Sequence, residues 1–204
     1  MEIISSGHAS KGRPREFDTE RALAAALRVF WRRGYEGASM AELTAEMGIA
    51  KPSLYAAFGN KEELFKKALD LYEREKLIYT AEALEEPTSR RMAERLLLGA
   101  LDMQTSSSNP KGCMGVINSM PCGPEASSIR ECVLERQESS RLALIGRLER
   151  YRREGDLPDD VDPETLARYI TAVVQGLSLQ ASAGASRTEL RNLVDLAVRA
   201  WPAR

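Results

Sequence analysis

The chain has 204 residues and a formal charge of −1, which leaves room for one large domain or for a small domain joined to a medium one. With a near-neutral chain, any nucleic-acid surface must be local. The single histidine, His8, excludes Ser-His-Asp triads, Cys-His dyads and histidine-based zinc sites, and no phosphate-binding glycine loop is present.

Residues 1–16 read as a mobile basic arm, in which Lys11, Arg13 and Arg15 alternate with Gly12 and Pro14. Arginines on such an arm suit a narrow minor groove, which makes Arg13 and Arg15 candidate DNA contacts. The first ten residues lack the basic start and apolar core of a signal peptide, and no apolar run approaches the roughly 18 residues of a membrane span. The expected location is the cytoplasm. Cys113, Cys122 and Cys132 are an odd number, so they read as thiols rather than a disulfide framework.

Asp18 is a predicted N-cap for a helix from Thr19 to about Arg33, with Leu23, Ala26, Leu27 and Phe30 on its buried stripe and Gly34 as its stop. Ser39 and Glu42 spell a capping box for the next helix. The stretch from Met40 to Phe58 then reads as two short helices around Gly48. Leu43 and Met47 bury one side of the first, and Leu54 and Phe58 one side of the second. Pro52 suits the first turn of the second helix, leaving Lys51, Ser53, Tyr55 and Ala57 to face outward. A cation, a hydroxyl and a phenol with small neighbours are what a helix-turn-helix offers to phosphates and base edges. Asn60 and Glu63 form a second capping box, with Lys61 in the first turn of a helix expected to run unbroken to about Leu84.

Beyond Pro87 the chain stays helical. A helix over about Thr88–Thr105 carries Leu101 and Met103, and the loop SSSNPKG leads into CMGVINSM. A long helix over about Glu125–Glu154 follows, and two more are expected over Pro163–Ser182 and Ser186–Trp201. The apolar faces of the last two invite pairing with a second copy across a two-fold axis. Cys113, Met114, Met120 and Cys122 place two thiols and two thioethers within ten residues, a set that suits a soft metal such as Cu(I), a redox sensor, or plain packing. Leu101, Met103, Ile117, Tyr169 and Val173 complete the candidate lining of an effector pocket.

Three pieces in order, RALAAALRVFWRRGYEGASM, AELTAEMGIAKPSLYAAF and NKEELF, resemble the DNA-binding domain of tetracycline-repressor-type (TetR) regulators. KGCMGVIN, VVQGLSLQASAGAS and RAWP resemble the regulatory half of the copper-responsive ComR-type subgroup. The resemblance implies an all-α protein of about nine helices. Residues 1–16 would be the arm, 17–75 a three-helix DNA-binding domain, and 76–204 a larger bundle for effector binding and dimerisation. It implies a homodimeric repressor that binds a palindromic operator in double-stranded DNA and is released by a small organic molecule or copper, with no required cofactor and no enzymatic activity. In that family the position of Ser39 also lies near a phosphate, so Ser39 joins Arg13, Arg15, Lys51, Ser53, Tyr55 and Lys61 as DNA-contact candidates. The competing readings are a helical-bundle enzyme or cofactor-binding protein, and an architectural DNA-binding protein without an effector.

Overall fold

A computed structural model of the chain describes residues 18–119 and 123–203. The basic arm with Arg13 and Arg15, and the candidates Met120 and Cys122, lie outside the described residues. Ten α-helices and one 3-10 turn follow one another, with no strand among the described residues: α1 (Thr19–Gly37), α2 (Met40–Met47), α3 (Lys51–Phe58), α4 (Lys61–Lys76), α5 (Ile78–Leu84), α6 (Ser89–Thr105), α7 (Met114–Ser119), a 3-10 turn (Pro124–Ala126), α8 (Ser127–Arg153), α9 (Pro163–Ser182) and α10 (Arg187–Arg199).

Most boundaries follow from caps visible in the sequence. The Asp18 carboxylate accepts from the Glu20 and Arg21 amides at 3.1 Å each, so α1 begins where its cap stands. Asn60 and Glu63 close both arms of their capping box at 2.9 Å. Ser39 caps α2 through the Glu42 amide, but the reciprocal bond of the expected box is replaced: the Glu42 carboxylate takes the Arg33 guanidinium at 3.3 Å instead. A charged partner on the neighbouring helix competes successfully with a neutral backbone donor.

The single helix expected from Lys61 to Leu84 is two. Leu77 leaves helical geometry at φ −106°, ψ 15°, and its carbonyl accepts both the Thr80 amide at 2.9 Å and the Thr80 hydroxyl at 2.6 Å. A threonine bonding this close to its own turn offers the backbone an alternative to the α-helical ladder, so the helix bends without glycine or proline. That bend supplies the tenth helix.

Two apolar clusters hold these elements. The first gathers Phe30, Trp31, Leu43, Leu54, Phe58, Phe65 and Tyr72 from α1 to α4, together with Met103, Met114, Ile129 and Val133 from α6, α7 and α8. Its aromatic centre packs edge to face, Phe30 on Phe65 at 5.1 Å and Trp31 on Tyr72 at 4.8 Å. The second cluster joins α6, α8, α9 and α10 through Leu97, Leu101, Leu148, Tyr151, Ile170 and Val194. Trp201 closes it, its indole N–H donating to the buried Ser89 hydroxyl at 3.2 Å. Each large side chain buried this fully contributes roughly 1.5–3 kcal/mol.

Candidate nucleic-acid interface

Gly48 ends α2 in the left-handed conformation (φ 66°, ψ 30°), and its amide bonds back to the Thr44 and Ala45 carbonyls. Three residues later α3 begins. Leu54 and Phe58 are buried beneath it, which turns Lys51, Pro52, Tyr55, Ala56 and Ala57 outward and leaves Ser53 half-exposed. Tyr55 is 46% exposed, far more than a tyrosine kept for packing needs. The Lys51 ammonium stands 5.9 Å from the Tyr55 ring centre, one turn away on the same face.

The start of α3 is electrically open. Its N-cap is Ala50, which has no side chain to accept the first amides, and its first turn holds no acid. Unsatisfied N–H groups and the positive end of the helix dipole therefore face solvent beside the Lys51 ammonium, a ready site for a phosphate. Between Asp18 and Lys76 there are ten Lys and Arg against ten Asp and Glu, so placement rather than net charge makes this edge anionophilic. Arg32 and Arg33 are already paired with Glu46 and Glu42 at 3.4 and 3.3 Å.

Behind α3, the Lys67 ammonium on α4 donates to the Phe58 carbonyl at 3.2 Å and lies over the Phe58 ring, tying the end of the outward helix to α4. Sequence reasoning missed this residue; a lysine seven positions after a capping asparagine carries no signal by itself. Lys61 is half-buried, its ammonium 4.5 Å over the Tyr35 ring. Burial lowers its pKa from the ordinary lysine range, against the opposing pull of Glu36 and Glu125. The Ser39 oxygen serves the cap of α2.

The candidate effector residues fall into two groups. Met103 and Met114 are buried in the first cluster, with Cys113 and Ile117 at its edge; Leu101 is buried in the second, where Val173 is half-buried. Tyr169 is exposed on α9 and does not join either group. Cys113 sits at a junction of four helices. The Tyr72 hydroxyl donates to its sulfur at 3.2 Å and also approaches the Met103 sulfur at 3.7 Å, while the Cys113 amide donates to the buried Ser178 hydroxyl at 2.7 Å. Burial, with Cys113 adding, pushes the Tyr72 phenol well above its usual pKa, and Tyr79 is raised for the same reasons. Tyr79 also lines a cleft of about 410 Å³ between α5 and α6, whose walls include Glu82, Glu86, Arg95 and Asp102. Among the described residues no group of three or more His, Cys, Asp or Glu could hold a metal ion, and no helix is long and apolar enough to cross a membrane.

Three comparisons match this arrangement. The sequence profile of bacterial regulatory proteins of the tetR family covers residues 22–68, from α1 into α4. The HTH-type transcriptional repressor ComR of Escherichia coli (strain K12) is 33% identical over 195 residues, 95% of this chain and 93% of that one. The repressor BdcR of the same strain is 30% identical over 181 residues, 88% and 86% of the two chains. Among solved structures, a cysteine-substituted mutant of the TetR family transcriptional regulator CifR, complexed with 26-bp double-strand operator DNA, superposes with a TM-score of 0.88 at 41% identity, over 93% of this chain and all of that one. With an identity of this order along nearly its whole length, the chain belongs to the tetR family of bacterial regulatory proteins.

Proposed function

We propose that the chain is a cytoplasmic transcriptional repressor that binds a palindromic operator as a homodimer and releases it when an effector binds the second half. The observation that carries this reading is the outward face of α3, where Lys51, Ser53 and Tyr55 stand beside an uncapped helix start. Operator DNA in the complex of a 41% identical relative supports it. Residues 17–75 would form the reading head and 76–204 the regulatory bundle. Lys51 is assigned to a guanine edge or a phosphate, Ser53 to a base edge, Tyr55, Lys61 and Ser39 to phosphates, and Arg13 and Arg15 to the minor groove.

Dimerisation is assigned to α9 and α10. Tyr169, Ala172, Val173, Gly176 and Leu179 recur at helical spacing along one side of α9, with Tyr169 41% and Leu179 53% exposed, and Leu196 on α10 is 60% exposed. A second copy of the same two helices would cover this stripe as a four-helix interface. Two heads then read two half-sites, which a single short helix cannot hold tightly.

The effector site is assigned to the junction around Cys113, where Tyr72 from α4, Met103 from α6 and Ser178 from α9 meet. A change there reaches α4, and so the spacing of the two heads, through differential binding of two conformations. Fluorescence anisotropy tests the whole reading, using a duplex selected from a random pool and titration with Cu(I), diamide and a panel of apolar organic compounds. Specific salt-sensitive binding lost on Lys51→Ala, and weakened by one of the three effector classes, is the expected result. Binding unaffected by the Lys51 change would overturn the DNA-reading surface.

A further inference from the structure

We propose that Asn118 is a positioning residue for DNA binding: its side-chain carbonyl replaces a missing helix acceptor in α1 and so seats Lys61 at the reading edge. The inference rests on the assignment of Lys61 to a phosphate made above.

The need for such a residue begins at Gly34. Its backbone, at φ 70° and ψ 173°, breaks α1 one turn before its end, and a side-chain-bearing residue would be strained there. The Tyr35 N–H is thereby turned away from the helical ladder in a half-buried position. It donates to Asn118 Oδ1 at 2.8 Å, 83 residues further along the chain. An unmet backbone donor there would carry its full desolvation cost.

Asn118 is itself held in one orientation. It is only 9% exposed, and its Nδ2 donates to the Met114 carbonyl at 2.8 Å within α7. Reversing the amide would point an NH₂ group at an N–H and an oxygen at a carbonyl, so the side chain presents its acceptor to Tyr35 and no other arrangement is satisfied. A second bond makes the grip two-ended: the Glu36 carboxylate accepts from the Gly123 amide at 3.1 Å. Consecutive residues of the last turn of α1 are thus bonded to Asn118, near the end of α7, and to Gly123, just before the 3-10 turn.

Tyr35 carries this constraint onward. Its ring packs edge to face on Phe65 at 5.5 Å and lies parallel to Phe30 at 6.3 Å. Its other partner is the Lys61 ammonium, 4.5 Å from the ring centre. Lys61 opens α4 only three residues after Phe58 closes α3. A displaced Tyr35 would therefore release the ammonium from the place where it can meet a phosphate, with no DNA contact by Asn118 itself.

A double-mutant cycle on the full chain separates this from a stability effect. Lys61→Met, Asn118→Ala and the double variant are titrated against a duplex selected from a random pool by the parent protein, with melting curves and amide exchange at Tyr35 alongside. The expected result is that each single change weakens binding about fivefold to tenfold, and that the double variant is no more than about twofold weaker than Lys61→Met alone. Asn118→Ala should also speed exchange of the Tyr35 amide. Should that variant fail to fold, Asn118→Leu takes its place in the cycle, since it keeps the side-chain volume and still removes the acceptor for the Tyr35 amide. A Lys61→Met variant that binds like the parent removes the phosphate assignment. A weakened Lys61→Met with a silent or fully additive partner change overturns the role of Asn118 alone, as does rapid exchange of Tyr35 in the parent.

Discussion

The Tyr72 hydroxyl donates to the Cys113 sulfur at 3.2 Å, and that bond joins α4 to the turn leading into α7. The Trp31 ring packs edge-on against Tyr72, and its indole N–H donates to the Gly112 carbonyl at 3.1 Å, so α1 grips the same turn. Removing the phenol as Tyr72→Phe should cost about 1 kcal/mol, the net worth of a buried hydrogen bond. In a chain of this size that lowers the melting temperature by about 2–4 °C. Cys113→Ser keeps an acceptor and should cost less. Cys113→Ala in the Tyr72→Phe background should add no further hydrogen-bond loss, and calorimetry of the four proteins would reveal any departure from this coupling.

The same junction, as the proposed effector site, separates three effector classes. If a soft metal acts there, Cu(I) should release operator DNA where Zn(II) does so poorly, because thiol and thioether sulfurs favour the softer ion. Cys113→Ser should then blunt the response and leave DNA affinity without effector within about twofold. For an organic effector the serine change is nearly silent, and enlarging Ile117 blocks release instead. A redox switch gives sensitivity to diamide that disappears in Cys113→Ser. Operator-release titrations of parent and variant proteins with all three agents distinguish these cases, and no release by any of them removes the site.

Much of this architecture was legible because it is local. Asp18, Asn60 and Gly48 mark their helix ends through bonds spanning two to four residues, and Gly34 breaks α1 where the sequence placed its stop, one turn before its last residue. The outward face of α3 was equally readable, since Leu54 and Phe58 are spaced to bury its opposite side. What the chain order hid is long-range. Glu42 abandons its box because Arg33 lies across the helix pair, and the Thr80 hydroxyl breaks a helix that contains no conventional breaker. Tyr72 and Ser178 reach Cys113 from two different helices, and no spacing rule connects them. Tyr169 shows the same limit: an aromatic at helical spacing can face either the core or a second molecule, and its 41% exposure is a property no spacing rule supplies.

At the reading edge, Lys51→Ala should weaken operator binding by about 1–3 kcal/mol if the lysine meets a guanine, with the loss concentrated at one base pair. Should it meet a phosphate, the loss spreads evenly over sequences and the slope of log K against log salt falls by about 0.9. Tyr55→Phe removes a hydroxyl from an exposed ring, so it should weaken binding without lowering the melting temperature measurably. Anisotropy titrations across salt concentrations, with single-base operator variants, check all three statements.

For the proposed dimer, Leu179→Glu or Leu196→Glu would place a charge within the assigned apolar interface, where no partner awaits it, a cost on the order of several kcal/mol. The protein should shift to monomer or aggregate, and operator affinity should collapse with the loss of the second head. Ile78→Glu is the control, because Ile78 is 60% exposed on α5, away from the assigned face, and its change should leave the dimer intact. Light scattering at micromolar concentration reads the result directly; a folded monomer of the parent protein would remove the interface.

The start of α10 gives a prediction with a sign in pH. The Glu189 carboxylate accepts from the Ser186 hydroxyl at 2.7 Å and from the Ser186 amide at 2.8 Å, and the Ser186 oxygen in turn accepts from the Glu189 amide. These bonds favour the ionised carboxylate and hold its pKa below the ordinary 4.5. A pKa depressed on folding means that the folded state binds fewer protons than the unfolded one across the interval between the two values. The stabilisation is therefore complete above the unfolded value and is lost as pH falls through the folded one. Glu189→Gln should be less stable than the parent near neutrality, and the gap between them should close as pH drops below 4.5. Because the cap fixes the first turn of a helix assigned to the dimer face, the same narrowing should be visible in dimer dissociation. Paired unfolding curves between neutrality and acid test it, and a gap that stays constant or widens toward acid would exclude the capping carboxylate as its source.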